Sequence, residues 1–315
     1  MVDGSLGRAR DAGLARPRLG ARLFVALQHL IPQHALSRAV HRLARSRAGP
    51  VKNALIRAFV RGYRPRLEEA AEPNPLAYGS FNEFFTRALR PDARPISTGS
   101  ELVLSPVDGA VSQIGHLDEL MLLQAKGRYY RLDALLSPAG AEWARRLAGG
   151  AFATLYLAPY DYHRIHMPVA ATLKAAWYVP GRLFSVNTVT AAAVTGLFAR
   201  NERVICAFES DAGMPFAMVL VGALFVGSIT TRWHGEVTPC RPRAPRTLPV
   251  PREARLEEGA EMGRFNMGST VILLFPRGAL AWRAALGPAS RIVVGQPLAR
   301  LEPPALRDDE RAGVR

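Results

Sequence analysis

The stretch RFNMGSTVILLF, residues Arg264 to Phe275, joins a polar lead to a buried-strand pattern. Its second half, Val271 to Phe275, is an uninterrupted apolar run, which is typical of a strand covered on both faces. Short apolar runs separated by Gly and Pro also occur at 102–115, 151–173, 203–210 and 217–230. The chain after residue 100 is therefore predicted to form a β-rich core of short, mostly antiparallel strands.

The first 75 residues have a different pattern. Residues 1–21 are rich in Gly, Arg and Pro without apolar periodicity, and we expect a disordered basic tail there and a second disordered tail at 306–315. Apolar residues then recur at helical spacing, so 22–75 is predicted to hold amphipathic helices. With 76–305 as the main domain, which also carries the motifs described below, the predicted fold class is α+β: a basic helical amino-terminal region followed by the β-rich core.

The positive charge is concentrated in the helical region. Residues 1–66 hold fourteen Lys or Arg and two acidic residues, a net charge of +12 out of +15 for the whole chain. Such a segment indicates an anionic partner, either nucleic acid or the acidic face of a membrane. Amphipathic helices whose polar faces are cationic favour the membrane, although helices that only cover the protein's own core would show a similar apolar stripe.

Smaller signals predict local structure and location. Ser80 and Glu83 form a capping-box pattern that predicts a helix ending at Pro91, and the Pro- and Arg-rich stretch 241–255 is expected to be an exposed loop. No stretch approaches the ~20 apolar residues of a membrane span, and the amino terminus lacks a secretory pattern. Two cysteines without a metal-type pair suit a reducing compartment, so we expect a cytoplasmic protein.

Polar residues capable of chemistry interrupt the apolar pattern at three points. Asp108 lies in SPVDG, a sequence that by itself is typical of a turn. His163 and His166 lie in DYHRIHMP; a lone histidine is usually structural, and a pair at this spacing shares a site only if the segment turns. The third point is Gly268-Ser269, at the mouth of the buried run.

These residues allow three kinds of chemistry. A hydrolase triad would use Ser269 as nucleophile, a histidine as base and Asp108 to orient it, although the GxSxG pattern is missing. A metal site would use Asp108, His163 and His166 with an open position, although nothing matches HExxH. In the third reading, Ser269 attacks the carbonyl of Gly268, which no side chain shields, and turns the peptide bond into an ester. Spacing alone leaves all three open.

Blocks between Phe81 and Val271 resemble those of bacterial phosphatidylserine decarboxylase, a pyruvoyl-dependent, membrane-associated type of enzyme. The basic helices before these blocks and VGQPLA after them also fit. Met267 stands where the family's processing motif usually has leucine, which keeps size and apolarity, and Arg182 stands where an acidic or other polar residue is common. The blocks are FNEFFTRALRPDARPI, SPVDG, LQAKG, DYHRIHMP, VPGRLFSVN, LFARNERV and EMGRFNMGSTV.

The resemblance implies that the chain makes its own cofactor. Ser269, activated by His166 with Asp108 orienting that histidine, would attack Gly268 in an autocatalytic serinolysis. Elimination and hydrolysis would then leave a pyruvoyl group in place of Ser269. The products would be a β chain of residues 1–268 and an α chain that begins at former Ser269.

The resemblance also implies the reaction. The pyruvoyl group would form a Schiff base with the amine of phosphatidylserine and act as electron sink while carbon dioxide leaves. His163 is the candidate acid that reprotonates the carbanion, and phosphatidylethanolamine, a product of phospholipid biosynthesis, would be released. No metal is expected to take part.

The expected partners follow from the substrate. Phosphatidylserine stays in the bilayer, so the basic helices would dock on an anionic membrane surface, with the enzyme peripheral on the cytoplasmic face of the inner membrane. A homodimer is expected and nucleic acid is not. A basic protein without enzymatic activity would leave the ordered blocks unexplained. The residues expected to insert or to line the lipid entry are Leu23, Phe24, Leu27 and Leu30.

Overall fold

A computed structural model describes residues 19–125, 127–225, 228–239 and 244–302. The expected tails therefore lie outside the described residues, apart from 19–21, which already belong to the first helix. Within the described chain an amino-terminal helical region precedes a core of antiparallel strands. The α+β class predicted from the sequence is confirmed.

Helices occur in two places, before the strands and over one face of the main sheet. The amphipathic periodicity predicted three of them correctly, with breaks near Pro32 and before Gly49. A 3-10 turn at Pro138–Gly140 joins two of the later helices. The α-helices are α1 (Leu19–Leu30), α2 (Gln33–Ala44), α3 (Gly49–Tyr63), α4 (Phe81–Phe85), α5 (Leu132–Leu136), α6 (Ala141–Arg146), α7 (Thr188–Ala193) and α8 (Leu197–Arg200).

The strands are short, as the Gly and Pro spacing predicts. They are β1 (Leu102–Leu104), β2 (Gly109–His116), β3 (Met121–Ala125), β4 (Arg128–Arg131), β5 (Ala151–Tyr156), β6 (Arg164–His166), β7 (Ala171–Val179), β8 (Arg203–Ser210), β9 (Pro215–Val221), β10 (Ile229–Thr231), β11 (Gly235–Glu236), β12 (Arg246–Leu248), β13 (Arg255–Leu256), β14 (Glu261–Phe265), β15 (Thr270–Phe275), β16 (Leu280–Trp282), β17 (Arg291–Ile292) and β18 (Pro297–Leu301).

The main sheet has nine strands and carries the cleavage-site segment in its middle. Its order is β12-β7-β8-β9-β15-β5-β2-β17, with β13 also paired to β7, and all its pairings are antiparallel. A four-stranded sheet, β11-β10-β14-β6, and a three-stranded sheet, β1-β18-β16, are separate from it. Strand β15 lies between β9 and β5, so its backbone is hydrogen-bonded on both sides.

Both faces of β15 are covered, as its apolar run predicts. Val271, Leu273 and Phe275 join a core cluster shared with the two smaller sheets, because strand side chains alternate between faces. Ile272 and Leu274 join a second cluster shared with helices α5 to α8. All residues of β15 are fully buried. The strand therefore holds the segment before it at a fixed place.

Two local predictions are wrong in part. Helix α4 ends at Phe85 rather than at Pro91, because the chain after it pairs with residues 69–71: the amide of Arg90 donates to the carbonyl of Glu69. The capping hydroxyl of Ser80 does accept from the amide of Glu83, as expected. The loop predicted at 241–255 is exposed at most of its described residues, 244–255, as expected, but it is not all loop: it holds β12 and the first residue of β13, both paired with β7, because a sheet edge can take an extended Pro-rich segment.

Candidate active site

The Gly268-Ser269 pair lies between β14 and β15, at the point where the chain passes from the four-stranded sheet to the main sheet. Ser269 is fully buried, and its Oγ has no hydrogen-bond partner within the described residues. Its carbonyl accepts from the amide of Leu157 at 3.0 Å, which fixes its backbone. A buried hydroxyl without a partner costs free energy, so this position is a candidate for chemistry.

The backbone just upstream is strained. Met267 has a φ of 125°, in the region that favours glycine. Holding a residue with a side chain in this conformation costs about 1–3 kcal/mol of folding free energy. Asn266 is pinned beside it, because its amide donates to the carbonyl of Ser228 at 2.9 Å and its Nδ2 donates to Thr230 Oγ1 at 2.9 Å. The peptide bond between Gly268 and Ser269 therefore lies in a short segment whose ends, Asn266 and Ser269, are held by hydrogen bonds and which contains the strained Met267.

His163 faces this bond. Its Nε2 lies 3.7 Å from the position that a β-carbon on residue 268 would take, and has no hydrogen-bond partner within the described residues. Its Nδ1 lies 2.8 Å from the carbonyl of Asp161, so Nδ1 carries the proton and Nε2 is free to accept one. Burial lowers the pKa of His163 to about 3, with a smaller contribution from the nearby charge of Arg87. The imidazole is therefore neutral at neutral pH.

His166, the last residue of β6, has different partners. Its Nδ1 donates to the carbonyl of Gly259 at 2.7 Å, and its Nε2 accepts from the hydroxyl of Tyr162 at 3.1 Å. Burial lowers the pKa of His166, while the carboxylate of Asp108 acts in the opposite direction. Its amide donates to the carbonyl of Pro106, which places the two polar motifs side by side.

Asp108 is anchored by an arginine that sequence reasoning did not single out. Arg94 Nε donates to both carboxylate oxygens of Asp108, at 2.9 and 3.1 Å, and the amide of Val294 donates to Oδ1 at 2.9 Å. Arg94 Nη2 also donates to Glu69 at 2.7 Å. The sequence shows Arg94 only as one of many basic residues, because nothing in its spacing points to Asp108.

The glycine after Asp108 is needed for close packing rather than for a turn. Gly109 begins β2 without a positive φ, and a β-carbon there would lie 2.3 Å from the carbonyl oxygen of Tyr156 on the neighbouring strand. Only glycine lets β2 approach β5 at this point. The carboxylate of Asp108 is thereby held at the very start of a core strand.

Of the predicted residues, His163 lies beside Gly268, and the segment of Asp108 is joined to His166 through the bond from the His166 amide to the Pro106 carbonyl. Within residues 19–302, apart from the few positions not described, no group of three or more His, Cys, Asp or Glu side chains could hold a metal ion. Within the described residues, the buried atoms without a hydrogen-bond partner at this place include Ser269 Oγ, Thr270 Oγ1 and His163 Nε2. Of these, Ser269 Oγ and His163 Nε2 suit nucleophilic attack and proton transfer next to the Gly268 carbonyl.

Comparison with known proteins supplies the family. Residues 81–300 match the family described as phosphatidylserine decarboxylase, and residues 23–64 match a second family description, PSD. The chain belongs to the phosphatidylserine decarboxylase family. The resemblance found in the sequence blocks is therefore confirmed.

Curated relatives of this family agree over nearly their whole length. A protein of Shewanella halifaxensis named phosphatidylserine decarboxylase proenzyme is 50% identical over 283 residues, which cover 88% of this chain and 98% of that relative. Proteins with the same name from Methylococcus capsulatus and Saccharophagus degradans are 50% and 46% identical, over 96% and 98% of their lengths. These names support a decarboxylase and give no support to a lipid hydrolase.

This member of the decarboxylase family has two cavities that meet at Met267. One, of about 300 Å³, is lined by apolar residues of α2 and α3 together with Phe81 and Met267. The other, of about 310 Å³, includes Gly268 and the polar residues Ser185 and Asn187. Both cavities are lined mainly by apolar residues, and the second adds the two polar side chains next to Gly268.

Helix α1 is attached by polar residues and leaves apolar ones exposed. Gln28 is buried, its Oε1 accepts from the amide of Ser185 at 2.7 Å, and its Nε2 donates to Thr190 Oγ1 at 3.3 Å. On the same helix Leu27 is 54% exposed and Leu30 is 82% exposed, and Phe24 is also exposed. The side chain of Leu23 lies outside the described part of the chain. This burial pattern is the reverse of a helix that only covers its own core.

Proposed function

We propose that this chain is a phosphatidylserine decarboxylase proenzyme that cleaves itself between Gly268 and Ser269. In the proposed reaction, phosphatidylserine yields phosphatidylethanolamine and carbon dioxide. Beyond family membership, one observation carries the proposal. The buried Oγ of Ser269 and the buried Nε2 of His163 both lack a hydrogen-bond partner among the described residues, and that nitrogen lies 3.7 Å from the β-carbon position at residue 268.

The proposed cleavage uses only residues of this chain. Ser269 Oγ loses its proton to a base and attacks the Gly268 carbonyl carbon, and the C–N bond breaks, so an ester replaces the amide and an amino group is freed. Removal of the proton on Cα of Ser269 then breaks the Cβ–O bond and releases Gly268 as a carboxylate. Water converts the remaining dehydroalanine into a ketone and releases ammonia.

The proposed base for this step is His166. The resemblance implies that Asp108 orients it, but in the structure the Gly259 carbonyl holds His166 Nδ1, and the Asp108 carboxylate is bonded to Arg94 and to the amide of Val294. Burial lowers the pKa of His166, which keeps the ring neutral; the bond to the Gly259 carbonyl and the charge of Glu261 oppose this effect, and the charge of Asp108 adds the smallest contribution. To reach Ser269, His166 Nε2 must exchange its hydrogen bond with Tyr162 for one with the serine hydroxyl. Catalytic hydrogen bonds of this kind often tighten only along the reaction.

His163 is the proposed proton donor and acceptor during turnover. The residues around Ser269 fit a pyruvoyl group, because position 269 is enclosed and its neighbour, residue 268, lies beside His163 Nε2, which has no hydrogen-bond partner within the described residues. A pyruvoyl group supplies a ketone that withdraws electrons while carbon dioxide leaves. A substrate carboxylate beside His163 Nε2 would raise the pKa of this histidine from about 3, so that it could hold the proton it later donates.

The proposed place of action is the cytoplasmic face of the inner membrane, with the protein bound peripherally. No helix in the described part of the chain is both long and apolar enough to cross a bilayer. The exposed apolar residues of α1 support insertion into the interface, and exposed cations such as Arg42, Arg57 and Arg61 support attraction to anionic lipid. The expected homodimer stays a prediction that the mass in solution checks.

The deciding experiment is Ser269→Ala in the full chain. Without Oγ there is no nucleophile, so we expect one uncleaved chain by intact mass and no decarboxylation. The wild type should give two fragments, one that ends at Gly268 and one that begins at former Ser269. Ser100→Ala, at an exposed serine, is the control and should be cleaved and active. An active wild type of one intact chain with an unmodified Ser269 would rule the proposal out.

A further inference from the structure

A cavity rich in arginine lies next to Asp108 and separate from the pocket at Gly268. Its volume is about 230 Å³, and it shares no lining residue with that pocket. The charged residues that line it are Arg64, Arg66, Arg87, Arg94 and Arg291 together with Glu69, Asp108 and Asp161. Five cations and three carboxylates leave an excess of two positive charges.

Three of the arginines use all of the carboxylates. Arg94 pairs with Asp108 and with Glu69, the latter at 2.7 Å. Arg66 also pairs with Glu69, at 3.2 Å, and Arg291 pairs with Asp161 at 2.7 Å. Among the described residues this leaves no carboxylate partner for the two remaining arginines, Arg64 and Arg87. The positive excess of the cavity therefore resides on these two.

Arg87 is the buried one of the two. It is 3% exposed, its Nε and Nη1 have no hydrogen-bond partner within the described residues, and its Nη2 reaches the carbonyl of Tyr160 only at 3.5 Å. Its guanidinium also lies over the ring of Phe84, 5.7 Å from the centroid. Taking a charge out of water without a partner is costly, and a cation–π contact recovers only a part of this cost.

Arg203 shows what a satisfied buried arginine looks like in the same protein. It is 2% exposed, and its guanidinium nitrogens donate to four backbone carbonyls at 2.7 to 2.9 Å. Arg87 has the same burial without these acceptors, and it lines a cavity. Burial alone therefore does not explain why Arg87 lacks hydrogen-bond acceptors, since Arg203 is equally buried and has four; the difference is that Arg87 borders a cavity.

We propose that the arginine cavity binds a phosphate-type oxyanion, held chiefly by Arg87 and Arg64. A planar guanidinium with free N–H groups matches the oxygens of a phosphate, and two unpaired arginines supply the opposite charge. The ligand is either free phosphate or the phosphodiester of a lipid headgroup, since both present the same oxygens. This site shares Asp108 and Tyr162 with the surroundings of the proposed base, but it has no lining residue in common with the pocket at Gly268.

The test is thermal melting of the purified full-length protein at constant ionic strength. Inorganic phosphate is one probe, and glycerophosphoglycerol is the other, because this phosphodiester carries no amine that could react with a ketone. Binding to the native state raises Tm, by the equivalent of about 2.7 kcal/mol at a ligand concentration of 100 times Kd. A rise with phosphate identifies the free ion as a ligand; a rise with the phosphodiester alone identifies the headgroup.

Variants assign the rise to the cavity. Arg87→Met should abolish it, and Arg64→Ala, at an exposed position that should not disturb folding, should reduce it. Arg90→Ala removes one charge from the same segment outside the cavity and should leave the rise unchanged. No rise with either probe in the wild type, or a rise that persists in both the Arg87 and the Arg64 variants, overturns the proposal.

Discussion

His163 and His166 are separated by two residues but have different hydrogen-bond environments. His166 has a partner on each ring nitrogen, Gly259 and Tyr162, while His163 has a partner on Nδ1 alone. The sequence predicts that the pair belongs to one site; the structure places His163 beside Gly268, while His166 contacts Gly259, Tyr162 and Pro106. The sequence does not predict which nitrogen is free, because that depends on carbonyls from other segments.

Alanine variants of the two histidines should separate cleavage from turnover. We expect His166→Ala to remain one uncleaved chain, because the proposed base is lost. We expect His163→Ala to be cleaved but to turn over more slowly by about 10²–10⁴, the usual contribution of a positioned acid or base. Intact mass measures the first property, and release of carbon dioxide by the cleaved fraction measures the second. The opposite pattern would exchange the two roles.

Met267 offers a test of backbone strain that leaves the reacting residues unchanged. Met267→Ala and Met267→Gly both remove the long apolar side chain, but only glycine, which lacks a β-carbon, adopts a φ of 125° without strain. If strain drives cleavage, the glycine variant should be cleaved more slowly than the alanine variant, by about tenfold for ~1.4 kcal/mol. The rate of conversion of freshly purified precursor is the measurement. Equal rates would show that the strain is not used.

Some residues of the site were within reach of sequence reasoning and others were not. Gly268 and Ser269 are adjacent in the chain, so the local pattern identifies them. Arg94 and Asp108 are fourteen positions apart and meet only because the segment after α4 pairs with residues 69–71. A contact made by tertiary pairing of this kind has no periodic signal in one sequence.

At the scale of elements, α1 is attached to the core by its polar side chains. Gln28 bonds to the segment 185–190, and Gln33 at the start of α2 accepts from the amide of Leu183 at 2.9 Å. The apolar periodicity predicted a helix correctly, but periodicity cannot tell which face is buried. That answer comes from the core side: the loop carrying Leu183 and Ser185 offers amides to Gln33 and Gln28, and Val25 packs against the second core cluster.

The exposed leucines of α1 should contribute to membrane binding. Leu27→Asp combined with Leu30→Asp should weaken binding to vesicles that contain phosphatidylserine by more than tenfold, since burying one leucine is worth about 1.5–3 kcal/mol. Cleavage and Tm should not change, because these side chains are 54% and 82% exposed. Val250→Asp, at an exposed loop residue, is the control. Vesicle cosedimentation is the measurement, and unchanged binding by the double variant contradicts membrane insertion of this face.

The core strands were easier to predict than the short helix α4. The run Val271–Phe275 is apolar without a break, and any sheet that buries both faces of a strand explains it. Helix α4 has its cap in the sequence, yet its end at Phe85 depends on a partner segment around Glu69. Where an element ends is decided by long-range pairing more often than by its own residues.

For the molecule as a whole, neutral buried histidines link stability to pH. Burial lowers the pKa of both His163 and His166 below that of an exposed histidine, so the unfolded chain binds more protons than the native chain in mild acid. Glu69 acts in the same direction at lower pH, because its hydrogen bond and ion pair with Arg94 hold its carboxyl pKa below the usual value despite burial. The histidines therefore dominate the first decline.

The stability of the uncleaved Ser269→Ala chain should fall as the pH drops below about 6.5, the unfolded pKa of histidine. The pKa of native His163 is about 3, so its contribution is complete above pH 6.5 and is lost between there and pH 3. Each proton that the unfolded chain binds and the native chain does not lowers the free energy of unfolding by about 1.4 kcal/mol for each pH unit by which the pH falls. Urea unfolding at pH 7, 6 and 5 measures it. Adding His163→Gln should reduce the slope of the free energy of unfolding against pH by the contribution of about one proton. His116→Gln, at an exposed histidine, should leave that slope unchanged. An equal slope in all three chains would mean that His163 is protonated in the native state.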